Sequence, residues 1–224
     1  MSDRITVEAF DLDLLDTDGA IREAGSRVAG DTRADFFKKA AIGGGSLIGG
    51  GVLLSGLAAP AMAKPSKKQD VAILNYALTL EYLESAFYTE AVSKGAISGD
   101  AMTAAELVRD HELAHVKALK GALGKAAIKK PKFDFKNTTG DQATFLATAV
   151  ALEDTGVSAY AGQGPRLLQK PLVQAALSIH SVEARHAAHF RTLAGMSFAP
   201  KAFDPAKSIK QVLKVVKGTG FITG

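Results

Sequence analysis

Residues 107–119 read LVRDHELAHVKAL, and the interpretation of their two histidines decides the fold and the chemistry. His111, Glu112 and His115 form an H-E-x-x-H pattern, which on a helix supplies two zinc ligands and the general base of a metallopeptidase. The same letters contain a shorter pattern, Glu112-x-x-His115, which is one part of a different kind of metal site. The rest of the chain indicates which interpretation applies.

The composition narrows the chemistry that a metal site could use. The chain has 224 residues, 47% of them hydrophobic, and contains neither Cys nor Trp. Without Cys, a disulfide, a thiolate zinc site, an iron–sulfur cluster and a cysteine nucleophile are excluded, so a metal must be bound by His and carboxylate side chains. The net charge is +4, but the lysines are scattered and few aromatic residues lie among them, so we do not expect nucleic-acid binding.

Residues 1–63 have the features of an export leader. After a polar start, basic residues precede an apolar Gly-rich run that ends in Ala61-Met62-Ala63, a small-x-small cleavage pattern. Residues 32–39, TRADFFKK, resemble the twin-arginine (Tat) export motif, but Ala34 stands where the second arginine is expected, which leaves the export route open. We expect cleavage after Ala63 and a periplasmic or otherwise extracytoplasmic protein.

The alternative for this leader is a retained membrane anchor. Residues 40–59 are about long enough to span a bilayer, and their glycines would permit helix packing. In either case the only expected contact with a membrane is through an uncleaved leader.

The remaining chain is predicted to be all-α. Apolar residues recur at intervals of three and four, Gly and Pro residues separate the periodic segments, and no window alternates strongly enough to predict a sheet. Four helices are predicted, over residues 70–95, 101–124, 141–163 and 171–195. Residues 196–224 form a tail whose short amphipathic stretch, Pro205–Lys217, is expected to pack on the outside.

The lengths of the connections predict the topology. The links within the first and second pairs of helices are short, which favours two antiparallel hairpins. The link between the pairs, residues 125–140, contains Pro131 and could extend roughly 50 Å at ~3.3 Å per residue, so it can run the length of a bundle. We therefore predict a four-helix bundle over residues 64–195 with one long crossover between its second and third helices, the topology of the ferritin-like class.

The same chemical groups recur in both halves of this bundle. The first helix carries Glu81 and Tyr88, seven residues apart, and the third carries Glu153 and Tyr160 at the same spacing. The second and fourth helices each carry a Glu-x-x-His pattern, at Glu112 and His115 and at Glu183 and His186.

Helical spacing indicates why these residue types belong together. Positions three apart share a face, so each Glu-x-x-His pair points in one direction. If all six side chains face inward, the core holds four carboxylates and two imidazoles, which would be prohibitively costly without cations among them. Oxygen and imidazole donors favour iron or manganese over calcium, so we predict two iron ions or two manganese ions.

At these positions the chain resembles the ferritin-like di-iron carboxylate superfamily. Residues 74–88, LNYALTLEYLESAFY, and residues 107–119 are similar to exported bacterial ferritin-like domain proteins, a group that also includes plant desiccation-related proteins. The resemblance covers roughly residues 68–195. It implies Glu81 and Glu153 as terminal ligands, Glu112 and Glu183 as bridging ligands, His115 and His186 as ligands of one metal each, and Tyr88 and Tyr160 in the layer around them.

Two assignments at the site stay open. Glu84 lies near the same helix face as Glu81, and we prefer Glu81 because it matches Glu153 in its seven-residue distance to a tyrosine. Tyr88 and Tyr160 could equally be core tyrosines with satisfied hydroxyl groups.

The other histidines bear on the peptidase alternative. His111, His180 and His189 could tune the site or face water, and for His111 and His189 we expect the surface. A zinc peptidase needs a third ligand and an open position for water. The extended pattern H-E-x-x-H-x-x-G-x-x-H fails, because Ala118 and Gly121 stand where Gly and His are required.

The sequence is therefore compatible with three functions. The first is an exported di-metal oxidase or a protein that handles dioxygen or peroxide; the second is a metal-binding or stress-protective bundle without turnover; the third is the zinc peptidase, which explains the fewest residues. The expected partners are metal ions with dioxygen or peroxide. The sequence identifies no catalytic residue and leaves a homo-oligomer open.

Overall fold

A computed structural model describes residues 66–223. The predicted leader, its cleavage site and the membrane-anchor alternative lie outside the described residues. Within the described range the chain forms five α-helices and two short 3₁₀ turns, and it has an isolated β-bridge but no strand. The helices are α1 (Lys67–Lys94), α2 (Gly99–Leu123), α3 (Gln142–Gln163), α4 (Lys170–Leu193) and α5 (Ile209–Thr219). The prediction of an all-α fold is confirmed.

The ends of the helices follow from their capping residues. Ser66 precedes α1, and its hydroxyl accepts a hydrogen bond of 3.1 Å from the Gln69 N–H, so α1 begins three residues earlier than predicted. α1 ends at Gly95, which has a left-handed φ of 63°. Asp141 caps α3 in the same way as Ser66 caps α1, through the Thr144 N–H at 2.9 Å.

The directions of the helices confirm the predicted long crossover. α1 packs mainly on α2, and α3 packs mainly on α4. Between α1 and α3, Tyr160 bonds to Glu81 while Tyr88 bonds to Glu153, so the residue order along α3 is reversed relative to α1 and the two helices are antiparallel. Since α2 is also antiparallel to α1, α2 and α3 run parallel, as one long crossover requires.

The C-terminal tail contacts this crossover. Phe133 and Ile222 form an antiparallel bridge, and the Asp134 N–H donates to the Phe221 carbonyl at 2.9 Å. The tail therefore covers the connection between the two hairpins. No helix in residues 66–223 is both long and apolar enough to cross a membrane.

Helix α5 differs from the prediction in its bounds and its burial. It spans Ile209–Thr219 instead of Pro205–Lys217, because Ser208 and Gln211 form a capping box that fixes its first turn. Val212 and Val216 are buried in the same apolar cluster as residues of α1 to α4. The amphipathic stretch thus contributes to the core instead of only covering the outside.

The buried apolar residues of the bundle form two separate clusters. The first contains Phe87, Phe145 and Phe190, and the second contains Ile73 and Leu119. The predicted metal ligands lie at intermediate positions along the same helices, so the bundle has apolar ends and a polar middle.

Candidate metal centre

The four bundle helices bring all six predicted ligands together in the core. α1 supplies Glu81, α2 supplies Glu112 and His115, α3 supplies Glu153, and α4 supplies Glu183 and His186. The four glutamates are 0% exposed, His186 is 5% exposed, and the His115 side chain is 12% exposed. This arrangement follows from the three-residue spacing of each Glu-x-x-His pair, which directs both side chains to the bundle axis.

The ligand atoms form two groups that share two carboxylates. The first group is Glu81, Glu112, His115 and Glu183, and the second is Glu112, Glu153, Glu183 and His186. In each group one donor atom per residue lies within 4.8 Å of all the others, which permits a metal ion among them. Glu112 and Glu183 belong to both groups.

Both histidines turn the same ring nitrogen to the carboxylates. His115 Nδ1 lies 3.2 Å from Glu81 Oε2, from Glu112 Oε2 and from Glu183 Oε1. His186 Nδ1 lies 3.2 Å from Glu112 Oε1 and 3.3 Å from Glu153 Oε2. The two halves of the site therefore have similar geometry, although His115 Nδ1 contacts three carboxylates and His186 Nδ1 contacts two.

Several of these donor atoms are buried and form no well-aligned hydrogen bond, although a histidine nitrogen lies 3.2 to 3.3 Å from some of them. They are Glu112 Oε1, Glu153 Oε2, both carboxylate oxygens of Glu183, and His186 Nδ1. Buried polar atoms in native proteins are nearly always paired, so a cluster of unpaired acceptors facing one another requires an explanation. Divalent cations would satisfy these atoms, and carboxylate oxygens with imidazole nitrogens are a donor set that suits iron and manganese.

Two tyrosines bond to the terminal carboxylates across the bundle. The Tyr88 hydroxyl on α1 donates to Glu153 on α3, and the Tyr160 hydroxyl on α3 donates to Glu81 on α1. Burial, followed by the negative charge of the bonded carboxylate, holds the pKa of both tyrosines well above the ordinary value. Both hydroxyl groups thus stay protonated and act as donors.

The carboxylates of the cluster have shifted proton affinities. Burial raises the pKa of Glu112 and Glu183 well above the ordinary value, and neighbouring carboxylates raise it further. Burial also acts to raise the pKa of Glu81, but hydrogen bonds from His115 and Glu112 hold it below the ordinary value. Burial acts to lower the pKa of His115, but the carboxylates of Glu112 and Glu183, each 3.2 Å from its Nδ1, raise it to about 12. In this form of the cluster, protons offset part of the carboxylate charge.

Glu84 is a fifth buried glutamate, and it belongs to neither group. Burial and then the charge of Glu183 raise its pKa well above the ordinary value. Its neighbour on α3 is Gly156, where an added Cβ would lie 3.0 Å from Glu183 Oε2 and 3.3 Å from Glu84 Oε1. Glu84 follows Glu81 by three residues as Gly156 follows Glu153, so the absent side chain on α3 leaves room for the extra carboxylate on α1.

The expectation that His111 faces the surface is wrong. His111 is half-buried, and its Nδ1 lies 2.9 Å from His186 Nε2. His111 is covered because α4 packs against α2, and the sequence pattern of α2 alone does not predict this contact. The four-residue spacing between His111 and His115 does indicate that they share a helix face. Burial and the neighbouring His186 lower the pKa of His111. His189 is exposed as expected, and His180 is half-buried with an unpaired Nδ1.

Comparison with known families agrees with this geometry. A family model described as a ferritin-like domain matches residues 69–196. The chain belongs to this ferritin-like family. Its four-helix bundle, crossover and buried Glu and His residues are those expected of a ferritin-like domain, and the predicted resemblance to the superfamily is confirmed. A search of curated proteins found no significant match, so the closer similarity to exported and desiccation-related members stays a prediction.

Proposed function

We propose that the cluster binds two divalent transition-metal ions, iron or manganese, with one ion in each group. The observation that carries this proposal is the sharing of Glu112 and Glu183 by two groups in which several buried donor atoms form no well-aligned hydrogen bond. The shared carboxylates would bridge the two ions. The remaining ligands would be Glu81 and His115 for one ion and Glu153 and His186 for the other.

The charge of the site supports this stoichiometry. Four carboxylates that are 0% exposed carry four negative charges when ionised, and two divalent cations would neutralise them. Metal binding would then displace the protons that the raised pKa values of Glu112 and Glu183 retain.

We propose further that the iron form handles dioxygen or peroxide. A bound pair of iron ions would supply the redox chemistry for reducing either molecule. The chain's own residues exclude bulk water, because the carboxylates and His186 are buried. Tyr88 and Tyr160 fix the orientation of the terminal carboxylates, and burial raises the pKa of Glu84, beside the cluster, well above its ordinary value.

Two measurements test this function in order. Anaerobic titration of metal-free protein with iron(II), combined with elemental analysis, should give two ions per chain, whereas one zinc per chain would support the peptidase alternative. Consumption of dioxygen or peroxide by the iron-loaded protein then separates redox activity from a metal-binding bundle without turnover. If two ions bind but neither oxidant is consumed, the redox part of the proposal is wrong and the binding part stands.

Export is a separate proposal that rests on the sequence. We propose that residues 1–63 direct the protein out of the cytoplasm and are cleaved after Ala63, because a basic segment and an apolar run precede Ala61-Met62-Ala63. Mass spectrometry of protein recovered from the periplasmic fraction should find Lys64 at its N-terminus. Recovery of the intact chain from the membrane fraction would contradict cleavage and support the anchor.

A further inference from the structure

An apolar cavity lies about one helical turn from the proposed metal centre. Its volume is about 50 Å³. Among its lining residues, Ala77 precedes Glu81 by four residues on α1, and Leu119 follows His115 by four residues on α2. Four residues correspond to about one helical turn, or ~5.4 Å along a helix axis. Tyr160 also lines the cavity, so one side chain contacts both the cavity and Glu81.

The two ends of the bundle can be compared position by position. Glu81 and Tyr88 on α1 correspond to Glu153 and Tyr160 on α3, and the two Glu-x-x-His pairs make α2 and α4 correspond in the same way. Under this correspondence the aromatic residues around Tyr88 match smaller residues around Tyr160. The matching pairs are Phe87 with Ala159, Phe145 with Ile73, and Phe190 with Leu119.

Aromatic rings fill the end of the bundle at Tyr88. The Tyr88 ring stacks on Phe190 at a centroid distance of 5.5 Å and meets Phe87 edge-on at 5.2 Å. Phe145 closes the same region, at 5.4 Å from Phe87 and 5.8 Å from Phe190. All four residues are fully buried. This end of the site is sealed by close packing.

Smaller side chains leave the corresponding space open at Tyr160. Ile73, Leu119 and Ala159, which replace the three phenylalanines, all line the cavity. The cavity therefore lies where three equivalent positions carry aliphatic side chains instead of phenylalanine. The two sides of an otherwise matched site are thereby made different.

The lining favours an apolar occupant over water. Among the polar side chains that line the cavity, Tyr160 bonds to Glu81 and Gln163 bonds to the Lys207 carbonyl, which leaves the buried Tyr76 hydroxyl as the one without a partner. A buried water needs about two to four polar partners, and apolar cavities stay dry. Because an engineered cavity of about 150 Å³ admits benzene, a cavity of about 50 Å³ suits a molecule as small as a diatomic gas.

We propose that this cavity binds dioxygen and that dioxygen reaches the metal centre from the Tyr160 end of the bundle and not from the Tyr88 end. Binding in the cavity depends only on its apolar lining and its size. Delivery to the metal rests on the proposed function. Tyr160 connects the two spaces, because it lines the cavity and its hydroxyl group bonds to Glu81.

Xenon is the probe for the cavity, because it is apolar, inert and independent of any metal. Xenon NMR of the metal-free protein should show one saturable site. Crystals of the protein pressurised with xenon should show that this site lies beside Tyr160. Leu119→Phe rebuilds the aromatic volume of the other end and should abolish this site, whereas Leu107→Phe, at a 56% exposed position of the same helix, should retain it. Ile73→Phe fills the same cavity from α1, and it replaces Leu119→Phe in this test if Leu119→Phe does not fold.

The reverse substitution tests whether aromatic packing seals the other end. Phe190→Leu opens the position that matches Leu119 and should create a second xenon site beside Tyr88. The absence of saturable xenon binding in the wild-type protein, or its persistence in both filled variants, would overturn the proposed cavity.

Delivery is tested with iron-loaded protein. Leu119→Phe should slow the oxidation of bound iron(II) by dioxygen, while Leu107→Phe should not, and anaerobic titration should give both variants the same iron stoichiometry. Unchanged oxidation in a filled variant that has lost xenon binding would overturn delivery through the cavity. Absence of metal binding in every form of the protein would instead overturn the proposed function, and the xenon result would stand by itself.

Discussion

The Tyr160 hydroxyl on α3 donates a hydrogen bond to the Glu81 carboxylate on α1, while Tyr88 on α1 bonds to Glu153 on α3. Each tyrosine thus supports the carboxylate of the opposite helix and not the one that precedes it in the sequence. The two bonds link the hairpins directly at the proposed metal centre. A change in either hydroxyl group should therefore be measurable as a change in metal affinity.

Removing either hydroxyl group should weaken metal binding without disrupting the fold. Tyr160→Phe and Tyr88→Phe keep the buried ring but leave a carboxylate oxygen without its donor, so we expect about a 10- to 100-fold loss of iron(II) affinity. Anaerobic titration measures this loss, and circular dichroism checks the helices. Tyr82→Phe is the matched control, because the Tyr82 hydroxyl bonds to the Ile128 carbonyl at 3.5 Å and contacts no predicted ligand. Equal affinities in all three variants would contradict the proposed role.

The histidines distinguish a di-metal centre from a peptidase site. His115→Ala and His186→Ala each remove a proposed ligand and should abolish one metal position and disturb the other. His111→Ala removes only the partner of His186, so a smaller loss of about 10- to 100-fold is expected. His189→Ala, at an exposed position on α4, should change nothing. If His111→Ala abolished binding and His186→Ala left it intact, the di-metal assignment would have to be abandoned.

The choice between Glu81 and Glu84 can be decided with isosteric substitutions. Glu81→Gln removes a carboxylate that belongs to the first ligand group and should reduce the metal content from two ions to one. Glu84→Gln changes a buried carboxylate outside both groups and should retain two ions. Elemental analysis after removal of free metal gives the answer. Two ions in Glu81→Gln and one ion in Glu84→Gln would instead identify Glu84 as the ligand.

The metal-free protein should lose stability as the pH rises. Burial raises the pKa of Glu84, Glu112 and Glu183 above the ordinary value of 4.5, so above that pH the folded chain retains protons that the unfolded chain has lost. Each such group lowers the free energy of unfolding by about 1.4 kcal/mol per pH unit, until the pH passes its folded pKa. His115 acts in the same direction, because the stabilisation from its raised pKa is complete below 6.5 and is lost as the pH approaches about 12.

Glu81 acts in the opposite direction at acid pH. Its pKa is lowered, so its contribution is present above 4.5 and is lost as the pH falls through the folded value. The expected optimum for the metal-free protein therefore lies in the mildly acidic range. Urea unfolding across this range gives the slope of the free energy of unfolding against pH. Saturating metal should reverse the sign of this slope, because the metal ions replace the protons of the carboxylates. Glu84→Gln should make this pH dependence weaker than in the wild-type protein. An equal pH dependence in the two proteins would contradict a raised pKa for Glu84.

The sequence predicts the parts of the site that depend on one helix at a time. The matched spacings of Glu81 to Tyr88 and of Glu153 to Tyr160 indicate equivalent helix faces, and helix geometry alone turns each Glu-x-x-His pair inward. The same reasoning predicts four helices with bounds within three residues of those in the structure. It also predicts the parallel direction of α2 and α3, because the crossover is long enough to permit it.

The remaining features depend on contacts between helices. Which tyrosine bonds to which carboxylate follows from the packing of α1 on α3, and the burial of His111 follows from the position of α4. The space at Gly156 is visible only when Glu84 and Glu183 are placed beside it. By contrast, the sequence does indicate the start of α5, because Ser208 and Gln211 have the spacing of a capping box.

Docking of the C-terminal tail should depend on the absence of a side chain at Gly162 on α3. An added Cβ there would lie 1.9 Å from the Lys207 carbonyl oxygen, which also accepts a hydrogen bond of 3.1 Å from the Gln163 side chain. The Lys207 N–H in turn donates to the Ser158 carbonyl at 3.0 Å. Because Lys207 immediately precedes the cap of α5, a displaced Lys207 should also shift α5 and its buried valines.

Gly162→Ala should therefore lower the free energy of unfolding by about 1 to 3 kcal/mol, the usual cost of overpacking, and should expose the tail to limited proteolysis. Gly218→Ala is the matched control, because an added Cβ on α5 meets nothing within 4 Å. There the substitution should stabilise the protein by about 0.5 to 1 kcal/mol, since alanine is the better helix former. Equal stability and equal protease resistance in the two variants would show that the tail does not dock through Lys207. Metal content should stay unchanged in both variants, because Gly162 and Gly218 contact no predicted ligand.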